Sequence, residues 1–250
     1  MFIEMIKSRH PCSAQEETLA FFDPGKDDFE ILSLKVYDAV FRTEFSRPGF
    51  FLIRLEVAEG SSAERSFMVS LKESLSSQCK MDPRFQFELD YFSINRFDQK
   101  NSTKPHRDGA PERSILLLGY EPTPVKSVLT MADYSRAAYG LGLSPKQFLE
   151  DFNPMYEQGR EQLASHTTEL CDFDNSCYQV MVINNSCESY TGGVNNWLGV
   201  LHCAEIEDDG VSSRVVNSLT LAPSESASEP GDLETSLDHF LNADSLMGSY

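Results

Sequence analysis

The spacing of apolar and polar positions changes period several times along the chain, and each change marks an element. Residues 29–57 are rich in Phe, Val, Ile and Leu with partial alternation broken at Pro48-Gly49, which predicts two strands. Ser61 and Glu64 have capping-box spacing, and Phe67, Met68, Leu71 and Leu75 follow at helical intervals. One amphipathic helix packed on a sheet is therefore expected, ending near Cys79. Over residues 85–97 the period becomes that of a strand, and 114–120 (SILLLGY) is a short apolar strand beyond a polar loop at 98–113. Residues 179–183, 197–206 and 214–221 continue the series. Short strands at this spacing predict a sandwich or jelly roll rather than a parallel sheet.

One block interrupts the β pattern. Thr130 and Asp133 are placed to cap a helix that stops at Gly140. Ser144-Pro145 with Gln147 forms a second cap with proline at the first helical position, and Asn153-Pro154 opens a third helix running to about His166. A helical insertion is thus expected over about 125–168, either as a lid that recognises substrate or as a cover for one end of the barrel. Residues 1–222 then form the folded domain. The Ser-, Glu- and Pro-rich stretch 223–250 is expected to be disordered, although Leu233, Leu237, Phe240 and Leu241 would share one helical face.

Composition narrows the function. Hydrophobic residues make up 40% of the 250 positions, enough for a sizeable core. The net charge of −18 argues against a nucleic-acid partner, which needs Lys and Arg to neutralise phosphate. No run of 18 apolar residues is present, so no membrane span is expected, and the first residues lack the apolar segment of a secretory signal. The six cysteines include no C-x-x-C pair and read as reduced thiols of a cytoplasmic protein.

The chemistry concentrates at two places. His106 and Asp108 are two apart in extended chain, so both side chains can face one ion. His202 lies in an apolar strand, where a histidine is ordinarily a satisfied core residue. Arg214, however, follows at the start of the next strand, and an antiparallel pair joined by a turn would bring both side chains into one cavity. A buried arginine stays charged and demands an anion, which a dicarboxylate would supply. His166 is a rival third ligand, but it ends a predicted helix and has no arginine at that distance downstream.

His106-x-Asp108, a distant His202 and then Arg214 resemble the iron(II)/2-oxoglutarate-dependent oxygenases. SINRF followed by PHRDG resembles the stretch leading into that family's first metal ligands, and GVLHCAEI with Arg214 resembles its second half, so the likeness spans about residues 49–221. The resemblance implies a mainly β fold with flanking helices, a double-stranded β-helix or jelly roll. It implies iron(II) held by His106, Asp108 and His202, with 2-oxoglutarate as cosubstrate clamped by Arg214. It also implies release of succinate and CO2 as the substrate is oxidised. A carboxylate at position 108 favours hydroxylation, or a related oxidation such as demethylation, over halogenation. The family often has a serine two residues after the arginine; here that position is Val216, with Ser218 as a substitute and Asn95 as a further cosubstrate contact.

The expected activity is therefore that of a 2-oxoglutarate-dependent dioxygenase, a hydroxylase whose primary substrate is a small molecule or a protein side chain. An iron oxygenase of the same barrel without 2-oxoglutarate, and a non-catalytic metal- or ligand-binding barrel acting as sensor or docking module, are the alternatives.

Overall fold

The structure is a computed structural model, and it describes residues 18–56, 60–188, 196–207, 210–226, 230–246 and 248–249. Cys12 and the segment read for a secretory signal lie outside these residues. In chain order the strands are β1 (Leu19–Phe22), β2 (Phe50–Leu55), β3 (Leu89–Asp98), β4 (Ile115–Tyr120), β5 (Lys126–Ala132), β6 (Thr167–Glu169), β7 (Gln179–Asn184), β8 (Leu201–Glu207), β9 (Val215–Pro223) and β10 (Gly248–Ser249). The helices among the described residues are α1 (Phe29–Val40), α2 (Ser61–Met81), α3 (Tyr134–Gly140), α4 (Pro145–Asp151), α5 (Glu157–Leu163) and α6 (Pro230–Asn242).

The strands form a large sheet, β1-β2-β7-β4-β9-β3-β10, and a small one, β6-β5-β8. Pairing from β2 through β3 is antiparallel, and so is the small sheet; β1 and β10 add parallel edges. A length of chain before His106 extends the small sheet beyond β8. Thr103 N–H donates to the Ala204 carbonyl at 2.9 Å, and His106 and His202 exchange backbone bonds at 3.0 Å each. The two sheets face each other as a double-stranded β-helix, a jelly roll backed by helices.

Three layers explain the apolar runs. β4 and β7 are buried at every position. On one side Leu116, Leu118, Met181 and Ile183 meet Leu129, Met131 and Ala204 of the small sheet. On the other, Ile115, Leu117, Val180 and Val182 pack with Val36, Leu71 and Leu75 of α1 and α2. A strand covered on both faces loses the polar alternate positions that mark a half-buried one. Trp197, fully buried, belongs to the helix-side core, edge-on to Phe41 and Phe85 rather than between the two sheets.

Several expectations are corrected. Residues 29–40 are helical, not a strand: the Asp28 carboxylate caps Glu30 and Ile31 N–H, and Leu32, Val36, Ala39 and Val40 turn one face inward. The β-branched and aromatic content of that stretch imitates a strand. The helix at 61–81 does not use the expected capping box. Gly60 is its first cap residue, Ser61 bonds Glu121, and Glu64 is turned into the protein. Gly119 explains why α2 comes so near the sheet, since a Cβ there would lie 2.6 Å from Met68 Sδ.

The helical insertion is shorter than expected, because β5 occupies 126–132 and the helices begin only at Asp133, whose carboxylate caps Arg136 N–H. The Ser144/Gln147 capping box forms as expected, whereas the third helix begins at Glu157. The stretch expected to be disordered carries α6, and its Phe240 is 1% exposed in the helix-side core. Phe240, with Leu237 packed beside it, anchors this acidic helix on the core. The thiol expectation fails at one position: Cys171 is disulfide-bonded, while Cys79, Cys177, Cys187 and Cys203 are free. Among the described residues no helix is long and apolar enough to cross a membrane.

Candidate metal centre

His106 and Asp108 sit where the small sheet ends. The last ladder pair, His106 with His202, puts two imidazoles on neighbouring strands with ring centroids 4.3 Å apart. Asp108 follows as the chain turns off, and its Oδ1 lies 3.3 Å from His106 Nε2 and 3.6 Å from His202 Nε2. The ligand atoms of all three residues fall within 4.8 Å of one another. His166, the rival, ends a short 3-10 turn after α5 and is not part of this cluster.

The three side chains titrate differently. His106 Nδ1–H donates to the Lys104 carbonyl at 2.7 Å, so Nε2 is the ring nitrogen turned toward Asp108 and His202. Burial alone would lower the His106 pKa, but its hydrogen bonds to Asp108 and Lys104 raise it above the ordinary value. For Asp108 burial acts upward and is outweighed by the neighbouring histidines, leaving the carboxyl below its usual range. Burial drives His202 down to about 4, so this ring is neutral at physiological pH. Its Nδ1 is buried without a hydrogen-bond partner. Two imidazoles and one carboxylate form the donor set of a divalent transition metal, and here the carboxylate is ionised and one ring neutral.

The cluster opens into a cavity of about 460 Å3 inside the barrel. Its wall mixes apolar side chains such as Leu118, Leu129, Met131 and Val216 with polar ones that include Asn95, Gln99, Thr103, Ser218 and Thr220. Asn95 and Ser218 are direct cross-strand partners of β3 and β9. The register of β3 thus turns Asn95 inward, while the Arg96 guanidinium faces the helices.

Arg214 is 2% exposed and precedes β9 on the same inward row as Val216 and Ser218. β8 and β9 are not paired as expected; they lie in opposite sheets, so His202 and Arg214 approach across the barrel rather than along one hairpin. Among the described residues the guanidinium is held by neutral groups: Nε donates to Ser127 Oγ at 3.1 Å, Nη1 donates to Gln99 Oε1, and Tyr120 presents its ring face at 4.9 Å. Nη2 has no partner. Burial lowers the Arg214 pKa and raises that of Tyr120 to about 12. Gln99 and Tyr120 line the cavity with Arg214 behind them.

Sequence reasoning missed Gln99, Ser127, Tyr120 and Asn185. The pair Asn184-Asn185 after an apolar strand reads as turn chemistry, and nothing local distinguishes a turn asparagine from a buried one.

No family model matches the sequence. No curated protein matches it either. Among solved structures, the chain is similar to AAD-2 in complex with Mn(II) and N-oxalylglycine, at 9% identity over 86% of this chain and 97% of that one, with a TM-score of 0.45. It is also similar to a taurine dioxygenase from Burkholderia xenovorans, at 11% identity over 93% of this chain and 98% of that one, with a TM-score of 0.39.

Proposed function

We propose that the protein is an iron(II)- and 2-oxoglutarate-dependent dioxygenase, a hydroxylase of a small molecule or a protein side chain that releases succinate and CO2. The observation that carries this reading is a pairing inside one barrel. A two-histidine, one-carboxylate cluster shares the interior with a buried arginine that meets no anion among the described residues. β5 gives their separation: Arg214 bonds Ser127, and His202 pairs with Met131, four residues on, or roughly 13 Å along a strand. A dicarboxylate with one end at the metal and the other at Arg214 would span the part of that distance that the ligand side chains and the guanidinium leave between them.

In this reading His106, Asp108 and His202 hold iron(II). Iron and cosubstrate together would supply the oxidation, with one atom of O2 going to succinate as 2-oxoglutarate loses CO2 and the other to a substrate C–H bond. The protein's part is placement. The Lys104 carbonyl fixes the His106 tautomer, and burial keeps His202 neutral. Arg214 would exchange its bonds to neutral Gln99 and Ser127 for charge-assisted bonds to the remote carboxylate, with Tyr120 supporting the guanidinium face. Leu118, Leu129 and Val216 exclude water between the two ends.

A second reading, an iron oxygenase of the same barrel that does not use 2-oxoglutarate, draws on two observations. Position 216 is a valine, and Gln99 stands beside Arg214 at the cavity wall. One experiment separates the two. Iron(II) and then 2-oxoglutarate are added anaerobically, and the visible spectrum is recorded. A charge-transfer band requiring both additions is expected. Iron binding without the band favours the second reading, and folded protein that takes up no iron overturns both.

A further inference from the structure

We infer that Asn185 is a positioning residue that holds Asp108 in place by imitating a strand, so that the carboxylate can act as a metal ligand. The inference rests on the proposed metal site and adds a residue to it. The ladder of the small sheet ends at His106, two residues short of Asp108. Beyond it, Asp108 lacks the neighbouring strand that would fix its backbone. The Asn185 side chain takes that place: its Oδ1 accepts from Asp108 N–H at 3.0 Å, and its Nδ2 donates to the Asp108 carbonyl at 3.1 Å. A carboxamide carries one acceptor and one donor side by side, the same pair that a strand residue offers across a ladder.

The clamp is itself fixed. Asn185 is fully buried just after β7, and its backbone N–H donates to the Ser114 carbonyl at 3.0 Å. Its Nδ2 also donates to Ser114 Oγ at 3.1 Å, so both amide hydrogens are used. Arg107 closes the loop from the other side: Nε donates to the Asn185 carbonyl at 3.0 Å, and Nη2 donates to the Ala110 and Pro111 carbonyls at 2.9 and 2.8 Å. One asparagine thereby ties the large sheet, through Ser114 and β7, to the loop that carries the carboxylate. The imidazoles need no such device, because both stand on paired strands.

The test uses Co(II) as a spectroscopic metal probe with the full-length protein, comparing Asn185→Ala, Asn185→Asp and Val182→Ala. Val182 lies on β7, three residues before Asn185, but packs on the helix side, so its truncation weakens the fold without touching the loop. Asn185→Ala is expected to bind Co(II) about 10- to 100-fold more weakly and to change its visible spectrum. Asn185→Asp keeps the volume and the acceptor for Asp108 N–H, and it is expected to fall between wild type and Asn185→Ala. It serves as the primary variant should Asn185→Ala fail to fold. Val182→Ala should bind as wild type does, despite a lower melting temperature. Wild-type affinity and spectrum in the asparagine variants, or an equal loss in Val182→Ala, would overturn the inference. Absence of Co(II) binding by the wild-type protein would instead overturn the metal site on which it rests.

Discussion

Arg96 on β3 and Arg214 just before the neighbouring β9 are both buried and face opposite sides of the same sheet. On the helix side, Arg96 donates to Glu121 at 2.9 Å and to the Asp244 carbonyl at 2.6 Å, and Arg65 approaches the Asp244 carboxylate at 3.5 Å. Glu64 accepts from Asn217 at 2.7 Å in the same cluster. On the barrel side, among the described residues no carboxylate comes within ion-pair distance of the Arg214 guanidinium. The difference separates two uses of a buried charge. A cation matched within the fold holds layers together, whereas one matched only by neutral dipoles is incomplete until an anion arrives.

The comparison breaks most directly by removing each cation. Arg96→Met strands Glu121 beside Glu64, and a loss of about 3 kcal/mol of folding free energy is expected, since Glu121 retains bonds from Ser61 and Asn217. Arg214→Met strands no charge, so the ligand-free protein should change by less than about 1 kcal/mol. Binding of 2-oxoglutarate to Arg214→Met should nevertheless weaken about 100-fold, as two charge-assisted bonds of about 1.5 kcal/mol each disappear. Urea unfolding of both variants and calorimetric titration of the second read these effects. Equal destabilisation by the two substitutions would mean that Arg214 already has its stabilising partner.

The helix-side cluster is balanced only while Glu64 is neutral, when Arg65 and Arg96 face Glu121 and Asp244. Burial raises the Glu64 pKa to about 8 from an ordinary 4.5. Because the folded value is the higher one, the stabilising contribution is complete below pH 4.5 and is lost as pH rises toward 8. The unfolded chain gives up its proton first, so stability falls by up to about 1.4 kcal/mol per pH unit across that window. Glu64→Gln should abolish this slope, matching wild type near pH 4.5 and exceeding it at pH 8. Parallel slopes for the two proteins would show that Glu64 is ionised in the fold.

How much of this was legible in the chain follows from where each interaction lies. His106-x-Asp108, His202 and Arg214 stand out because residue type and strand period are local properties. Arg96 and Arg214 are indistinguishable locally, since each is a lone cation at the edge of an apolar run. What separates them is Glu121, supplied by the turn after β4, and a register that places Asn95 toward the barrel. Asn185 and Gln99 act through tertiary bonds to distant loops, so neither carries a signal in its own neighbourhood. Residues 29–40 misled for a different reason: β-branched and aromatic residues packed on a sheet obscure a helical period that Asp28 caps.

The smallest effect sharpens the barrel side of the comparison. Along β9, Val216 and Ser218 continue the inward row that begins at Arg214, and Ser218 lines the cavity opposite Asn95. The Val216 side chain can offer the remote carboxylate no hydrogen bond, so the nearest hydroxyl to Arg214 on this strand is that of Ser218, with Thr220 two residues further on. A neutral hydroxyl bond contributes about 1 kcal/mol, and Ser218→Ala should therefore raise the dissociation constant of 2-oxoglutarate about fivefold. Because the side chain is small and its partner lies in a cavity, folding stability should hardly change. An unchanged dissociation constant would leave Arg214 to hold the carboxylate without help from β9 and would assign Ser218 to the wall facing the substrate. A loss as large as that of Arg214→Met would mean that the carboxylate sits deeper along β9 than the arginine, and the contrast between matched and unmatched cations would no longer locate the cosubstrate.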